Sequence, residues 1–377
     1  MPSAKATAAR QRGFTLVELM VGLVLGLLTV LVITQVMVLA EGKKRTVSMG
    51  SDAQVNGALS LFTIQRDIEQ SGYGATASPD ALGCTVHKQF DTGSMSTFTL
   101  APVVITAGVG NAPDKITVLQ GNTTGFSAPM LLTGVHTQSD NHFTVGSSLG
   151  AVAGNMMIAV PKLQDANNWC TLFDVTNDTS SATTTLSDTN VPHKTDATGK
   201  WNQSAILPVS GYIDGSYLLN MGAMVSRTYS VSGAGNLQVQ EPSLTDGTTP
   251  AAQDLYPQIV NLQALYGKDT NADGVVDLYD NVTPTDNPGW QQVLAVRVAV
   301  VARSNQFEKT AVTSAAPQWN VGSGTTVTGP VTTACNGSST CIALDVSTLA
   351  DWQHYRYKVY DTIVPLRNVL WNAGKKS

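Results

Sequence analysis

Arg12-Gly13-Phe14-Thr15-Leu16-Val17-Glu18-Leu19-Met20 opens the stretch on which the fold of this chain turns. From Phe14 to Ala40 run 27 residues with one charge, Glu18, and no proline. At about 1.5 Å per residue they predict a helix of about 40 Å, longer than the roughly 30 Å hydrocarbon core of a bilayer. The segment is long enough to cross a membrane once, from residue 14 to about residue 40. A carboxylate inside such a span is costly in lipid, so Glu18 calls for a positive partner. Lys5, Arg10 and Arg12 precede the span and Lys43, Lys44 and Arg45 follow it. That balance leaves orientation undecided by charge.

Two processing sites compete. Val38-Leu39-Ala40 has the small residues a signal peptidase needs, but its apolar core would be about twice the usual 7–15 residues. A cut between Gly13 and Phe14 would instead keep the helix on the mature protein. Gly13, Phe14 and Glu18 resemble the class III signal of type IV prepilins and type II secretion pseudopilins. The resemblance implies a leader peptide over residues 1–13, removed by a prepilin peptidase that N-methylates Phe14. It also implies that Glu18 meets the N-terminal amine of a neighbouring pilin during assembly.

Beyond Arg45 the helix is expected to continue. Asn56, Ser60, Thr63, Asp67 and Gln70 fall at helical spacing and suggest a narrow polar edge turned to water. Ala58, Leu61, Phe62, Ile64 and Ile68 would then bury a wide face against a sheet. Ser71-Gly72-Tyr73-Gly74 supplies a stop. The expected organisation is a leader over 1–13, a pilin helix of about 55 residues within 14–74, and a β-rich head over 75–377.

Strand patterns fill the head. Val260, Leu262, Ala264 and Tyr266 alternate with Asn261, Gln263 and Leu265, and Val225–Val231 with Leu237–Val239 flank a Gly-rich turn. Val293–Val301 and Tyr355–Val364 are further strands, whereas Thr176–Thr189 and Val321–Thr333 read as loops. The fold class is α+β, a long N-terminal helix on a large, mostly antiparallel head. Leu265-Tyr266-Gly267, the Asp-rich loop after it, Tyr355-Arg356-Tyr357 and Pro365-Leu366-Arg367-Asn368 resemble PilW-type minor pilins. Residues 80–250 carry no family signature.

Composition narrows the chemistry. A net charge of −5 argues against a protein that holds nucleic acid through its phosphates. Cys84, Cys170, Cys335 and Cys341 form no CxxC pair and have no histidine at ligand spacing, which argues against zinc. An even count in an exported chain suggests two disulfides, placing the head outside the inner membrane. Cys335 with Cys341 would clip a short loop, leaving Cys84 for Cys170. Gly146-Ser147-Ser148-Leu149-Gly150 fits a nucleophile elbow, but the following Met156–Val160 reads as strand where that motif needs a helix. The histidines, at 87, 136, 142, 193 and 354, are scattered along the chain.

One motif points to a ligand. Asp269, Asn271, Asp273, Asp277 and Asp280 occupy positions one, three, five, nine and twelve of a calcium loop, with Gly274 at the sharp turn. Val275 would add its carbonyl. The competing reading is an Asx-rich hairpin turn.

The functional expectation is a minor pilin, not an enzyme, that initiates or caps a type IV pilus by helix packing with other minor and major pilins. It would sit in the inner membrane with its head in the periplasm, then reach the cell-surface pilus, where a tip adhesin is a further candidate partner. A type II secretion pseudopilin is the first alternative. A pilus-tip adhesin or DNA-capture module is the second.

Overall fold

An unbroken run of helix-compatible residues from Leu16 to Gln70 forms one α-helix of 55 residues. The computed structural model describes residues 13–123, 128–195, 199–323, 326–335 and 337–373. Among these the helix stops where Ser71 turns both its amide and its hydroxyl onto Ile68 O. Gly72, at φ +78°, then leaves the helix and donates its N–H to Leu119 O in a neighbouring sheet. The left-handed conformation at Gly72 is one that side chains rarely tolerate.

The chain divides after Asp52 into two compact units. The first holds the apolar part of the helix. The second joins the rest of the helix to the head.

Three large sheets build most of that head, beside one of three strands and one of two. One has six strands in the order Ser96–Thr99, Thr85–Lys88, Cys170–Asp174, Met156–Val160, Tyr217–Gly222 and Met130–Leu131. The second has five, in the order Gln253–Pro257, Asn236–Gln240, Val225–Val231, Lys115–Gln120 and Val103–Thr106. The third has Thr326–Thr328, Leu278–Asp280, Ile259–Lys268, Val293–Arg303 and Tyr357–Pro365. Pairing in these sheets is antiparallel except between Thr85–Lys88 and Cys170–Asp174, and between Leu278–Asp280 and Thr326–Thr328. The architecture is thus α+β, with a long helix and a large, mostly antiparallel head.

The main core lies where the helix meets the second and third sheets. Ala53, Ile64 and Ile68 pack with Ile116, Tyr229, Leu262, Ala264, Val298 and Val300. The alternation in Ile259–Lys268 does not expose one face, because all ten residues are buried. Asn261 and Gln263 instead donate their side-chain amides to the carbonyls of Asn111, Asp345 and Ala112. The cost of burying them is met by these bonds.

Two expectations need correction. The polar stripe of the helix is not its wet edge: Ser60 and Asp67 are buried, while Ala58, Leu59 and Phe62 are exposed. The helix approaches the sheets so closely that small residues and one bonded carboxylate fit where large apolar ones would not. Val321–Thr333 also holds short strands at Thr326–Thr328 and Thr332–Ala334, since β-branched threonine suits a strand as well as a loop.

Candidate assembly helix and its seat

The first turn of the helix explains Glu18 in part. Its carboxylate Oε2 accepts from Thr15 N and Thr15 Oγ1, both at 3.2 Å, while Glu18 N donates to Thr15 Oγ1 at 3.2 Å. This reciprocal arrangement is a capping box, which satisfies two of the helix's orphan N–H groups. The signal for it in the sequence is Thr-x-x-Glu ahead of an apolar run. Phe14 stands 86% exposed just before the cap, within reach of an incoming partner. Gly13 precedes it with open space around its Cα.

The most apolar 18-residue stretch within Leu16–Gly42 has a mean hydropathy of 2.7, and none of it is covered by protein. A bare apolar rod of this length requires lipid or other helices around it.

Below Asp52 the same helix is seated by specific contacts. Gly57 lies under the ring of Tyr360 and beside Ala302, and a Cβ at Gly57 would overlap that ring. Asp67 accepts from Tyr229 Oη at 2.6 Å and from Arg227 Nη1 at 3.2 Å. Arg227 also pairs with Glu241 at 2.7 Å. Thr63 Oγ1 meets Tyr256 Oη at 3.0 Å. Burial and the Asp67 carboxylate push the Tyr229 phenol well above its usual range.

The C-terminal motif closes the far end. Asn368, in the helix Arg367–Ala373, donates Nδ2 to Ser71 O at 2.7 Å and to Gln70 O at 3.4 Å. Arg367 reaches Glu69 at 3.6 Å. Pro365-Leu366-Arg367-Asn368 therefore latches the end of the assembly helix to the last strand, a role its sequence alone did not disclose.

The Asp-rich loop is internally bonded. Asp269 accepts from Asp273 N and Gly274 N, Asn271 from Asp273 N, Asp273 from Val275 N, and Asp277 from the amide and hydroxyl of Thr270. Asp280 is committed elsewhere, to a buried pair with Lys268 Nζ at 2.8 Å. That pair does not fit a twelfth calcium ligand. Among the described residues no three His, Cys, Asp or Glu side chains converge as a metal site.

The disulfides join Cys84 to Cys170 and Cys335 to Cys341, and among the described residues no cysteine is free. Ser148 Oγ donates to Ser187 O at 2.6 Å, and strand Met156–Val160 follows its loop, which is not the setting of a nucleophile elbow. Two of the scattered histidines do meet: His136 Nε2 and His193 Nε2 lie 2.7 Å apart, both buried. Burial lowers His136 to about 4 and His193 to about 3.

Comparison with known proteins adds two matches by sequence. Residues 225–368 match the family described as Type IV Pilus-assembly protein W, and residues 8–34 match the prokaryotic N-terminal methylation motif. Among curated proteins none matches the chain. Of solved structures, a type IV-like pilin from Thermus thermophilus is 12% identical, covering 58% of this chain and 87% of its own, with a TM-score of 0.22.

Proposed function

We propose that this chain, a PilW-type type IV pilin that takes part in pilus assembly, is a low-copy minor pilin that initiates or caps the fibre. The observation that carries the reading is the size of the head outside the matched family region. All six strands of the first sheet lie between residues 85 and 222, ahead of the PilW match at 225–368. Such a mass beside the helix would obstruct lateral packing in a uniform fibre, which favours an end position.

On this reading a prepilin peptidase cuts between Gly13 and Phe14 and methylates Phe14. The helix rests in the inner membrane with the head in the periplasm until Glu18 meets the amine of a neighbouring pilin. The exposed stripe of Val55, Leu59 and Phe62 gives a second pilin helix an apolar surface to pack on. Nothing in the role calls for catalysis. Deletion of the gene tests it: pili and twitching should be lost, and immunogold against the head should mark fibre ends. Lost exoprotein secretion with normal pili would assign the chain to type II secretion.

Calcium at 269–280 belongs to the same proposal in reduced form. Asp269, Asn271, Asp273, Asp277 and the Val275 carbonyl would hold the ion, without Asp280. A carboxylate oxygen that accepts one N–H keeps a lone pair for a cation, so the internal bonds of the loop are compatible with a ligand role.

A further inference from the structure

We propose that Thr15 is a positioning residue for the processing step: as the N-cap it holds the Gly13–Phe14 bond outside the helix, open to the peptidase. The inference rests on the processing reading above and adds to it the residue that controls the cut.

The hydrogen-bond ladder of the helix begins with Leu19 N donating to Thr15 O at 3.1 Å. One step further back would need Glu18 N on Phe14 O, and the next step Val17 N on Gly13 O. The first of these is blocked. Glu18 N donates to Thr15 Oγ1 at 3.2 Å, and Thr15 N donates to Glu18 Oε2 at 3.2 Å. The amide that would carry the helix back over Phe14 is therefore held by the Thr15 hydroxyl. That bond uses the main chain of residue 18 and does not depend on its carboxylate.

A stop is needed at this point in the sequence. Ala8-Ala9-Arg10-Gln11-Arg12 are residue types that favour a helix, and ahead of Thr15 only Gly13 opposes one strongly. In a helix continued to Gly13, Val17 N would occupy Gly13 O. That oxygen is the one a hydrolytic enzyme must polarise with its own donors. Hydrolysis adds water across the bond, leaving a carboxylate on Gly13 and an amine on Phe14. With the helix starting at Leu16, Phe14 is exposed and Gly13 has open space around its Cα.

Capping and direct contact rank substitutions differently. Ser, Asn and Gly are good or adequate N-caps, whereas Ala and Val are poor ones. A contact between the Thr15 side chain and the enzyme would instead favour Val, which has the shape of Thr, over Asn and Gly.

The full chain in inner-membrane vesicles can be incubated with prepilin peptidase, and the new Phe14 terminus followed over time by mass spectrometry. Thr15→Ser, Thr15→Asn and Thr15→Gly should be cut within about twofold of the wild-type rate. Thr15→Ala and Thr15→Val should be slower by up to about fivefold, the ratio that about 1 kcal/mol of lost cap gives. All five should insert in the membrane and keep the melting temperature of the head. The proposal is overturned if Thr15→Val is cut as fast as wild type. It is also overturned if Thr15→Asn and Thr15→Gly are slowed as much as Thr15→Val. A wild-type chain left uncut at Gly13–Phe14 would bring down the processing reading itself, and this inference with it.

Discussion

The two halves of the 55-residue helix meet different solvents and are built accordingly. Leu16–Gly42 is apolar on every side and is exposed throughout. Ala53–Gln70 buries Ile64 and Ile68 beside the small or polar Gly57, Ser60 and Asp67, and exposes Val55, Leu59 and Phe62 along with Gln54, Arg66 and Gln70. In lipid, helix stability comes from the intrahelical hydrogen bonds alone, and side chains need only be apolar. Against a sheet, the closest approach of the backbone sets which side chains fit. Burial thus follows geometry in the second half and hydropathy in the first.

The sharpest way to break this comparison is a change that acts on one half only. Glu18→Val removes the carboxylate from the first half and half of its capping box with Thr15. Incorporation into pili should be lost almost completely, while Gly13–Phe14 cleavage, membrane insertion and the melting temperature of the head stay unchanged. Immunoblots of sheared pili and of membranes decide it. Normal piliation in the Glu18→Val strain would defeat the pairing of Glu18 with a neighbouring amine. Loss of the cap alone would cost about 1 kcal/mol, too little for an all-or-none defect.

In the second half, Gly57→Leu should destabilise the head by about 3 kcal/mol, because overpacking forces the Tyr360 ring off its site. Gly→Leu would otherwise favour a helix by nearly 1 kcal/mol, so the sign itself separates packing from propensity. Denaturant melts of the full chain in detergent measure the loss. Gly57→Leu combined with Tyr360→Ala should recover part of it. An equally stable single variant would mean that the helix does not seat as closely as the sheet suggests.

Acid offers a test confined to the head. His136 and His193 are held neutral by burial, with folded values near 4 and 3 against 6.5 for a free histidine. The unfolded chain then binds more protons below pH 6.5, and stability falls as pH drops from there toward 4. For His136 alone the loss is on the order of 3 kcal/mol. Asp114 works in the opposite sense: burial raises it to about 6, so its protonated form favours the folded state between pH 6 and the usual carboxylate range. His142 and Asp140 face the same histidines and pull in opposite directions on His136. The melting temperature should therefore fall between pH 6.5 and 4, with a shallower slope in His136→Gln, His193→Gln. A flat profile would remove the buried pair from the stability of the head.

What could be read from the chain divides along the same line. The apolar span, the Gly13-Phe14 junction and Glu18 are local in sequence, and so are the hairpin at 225–240 and the long strands. The seat of the helix is not local: Asp67 meets Arg227 and Tyr229 across about 160 residues, and Gly57 meets Tyr360 across about 300. Hydropathy periodicity placed Asp67 and Ser60 on a wet edge because it assigns polar groups to water and cannot see a partner that folds over them. The role of Asn368 was hidden for the same reason. Asp280 fitted a calcium pattern by spacing, but its strand pairing turns it to Lys268 instead.

Two polar residues on the buried face separate satisfied from unsatisfied burial. Asp67→Ala leaves Tyr229 Oη and one side of Arg227 without their partner and should cost about 1–3 kcal/mol. Ser60 Oγ, in contrast, is buried without a hydrogen-bond partner. Ser60→Ala should be neutral or stabilise by about 1 kcal/mol, since an unpaired hydroxyl is removed at little change in volume. Thermal melts of both variants give the two signs. Destabilisation by Ser60→Ala would indicate a partner for that hydroxyl, and with it a less simple account of the buried face.

The smallest effect concerns a loop that is far from either half of the helix in sequence and whose stability should depend on an ion. Asp269, Asp273 and Asp277 lie within nine residues, and their repulsion is eased only in part by the amides of Asp273, Gly274, Val275 and Thr270. Gly274, at φ +85°, makes the sharp turn in the middle of the loop. At ~2 mM calcium and a Kd near ~0.1 mM, mass action gives about 1.8 kcal/mol. In a domain of this size that is a rise of a few degrees in melting temperature. Magnesium should be a poor substitute, because it demands a small octahedral shell. Asp273→Ala should abolish the calcium shift, whereas the Lys268–Asp280 pair, being saturated without an ion, should hold its end of the loop in chelator as well. The helical signal of the membrane segment should not respond in either case. If wild type melts at the same temperature in calcium and in chelator, the loop is an Asx turn that needs no metal. The Lys268 ammonium would then be the one cation among its described contacts.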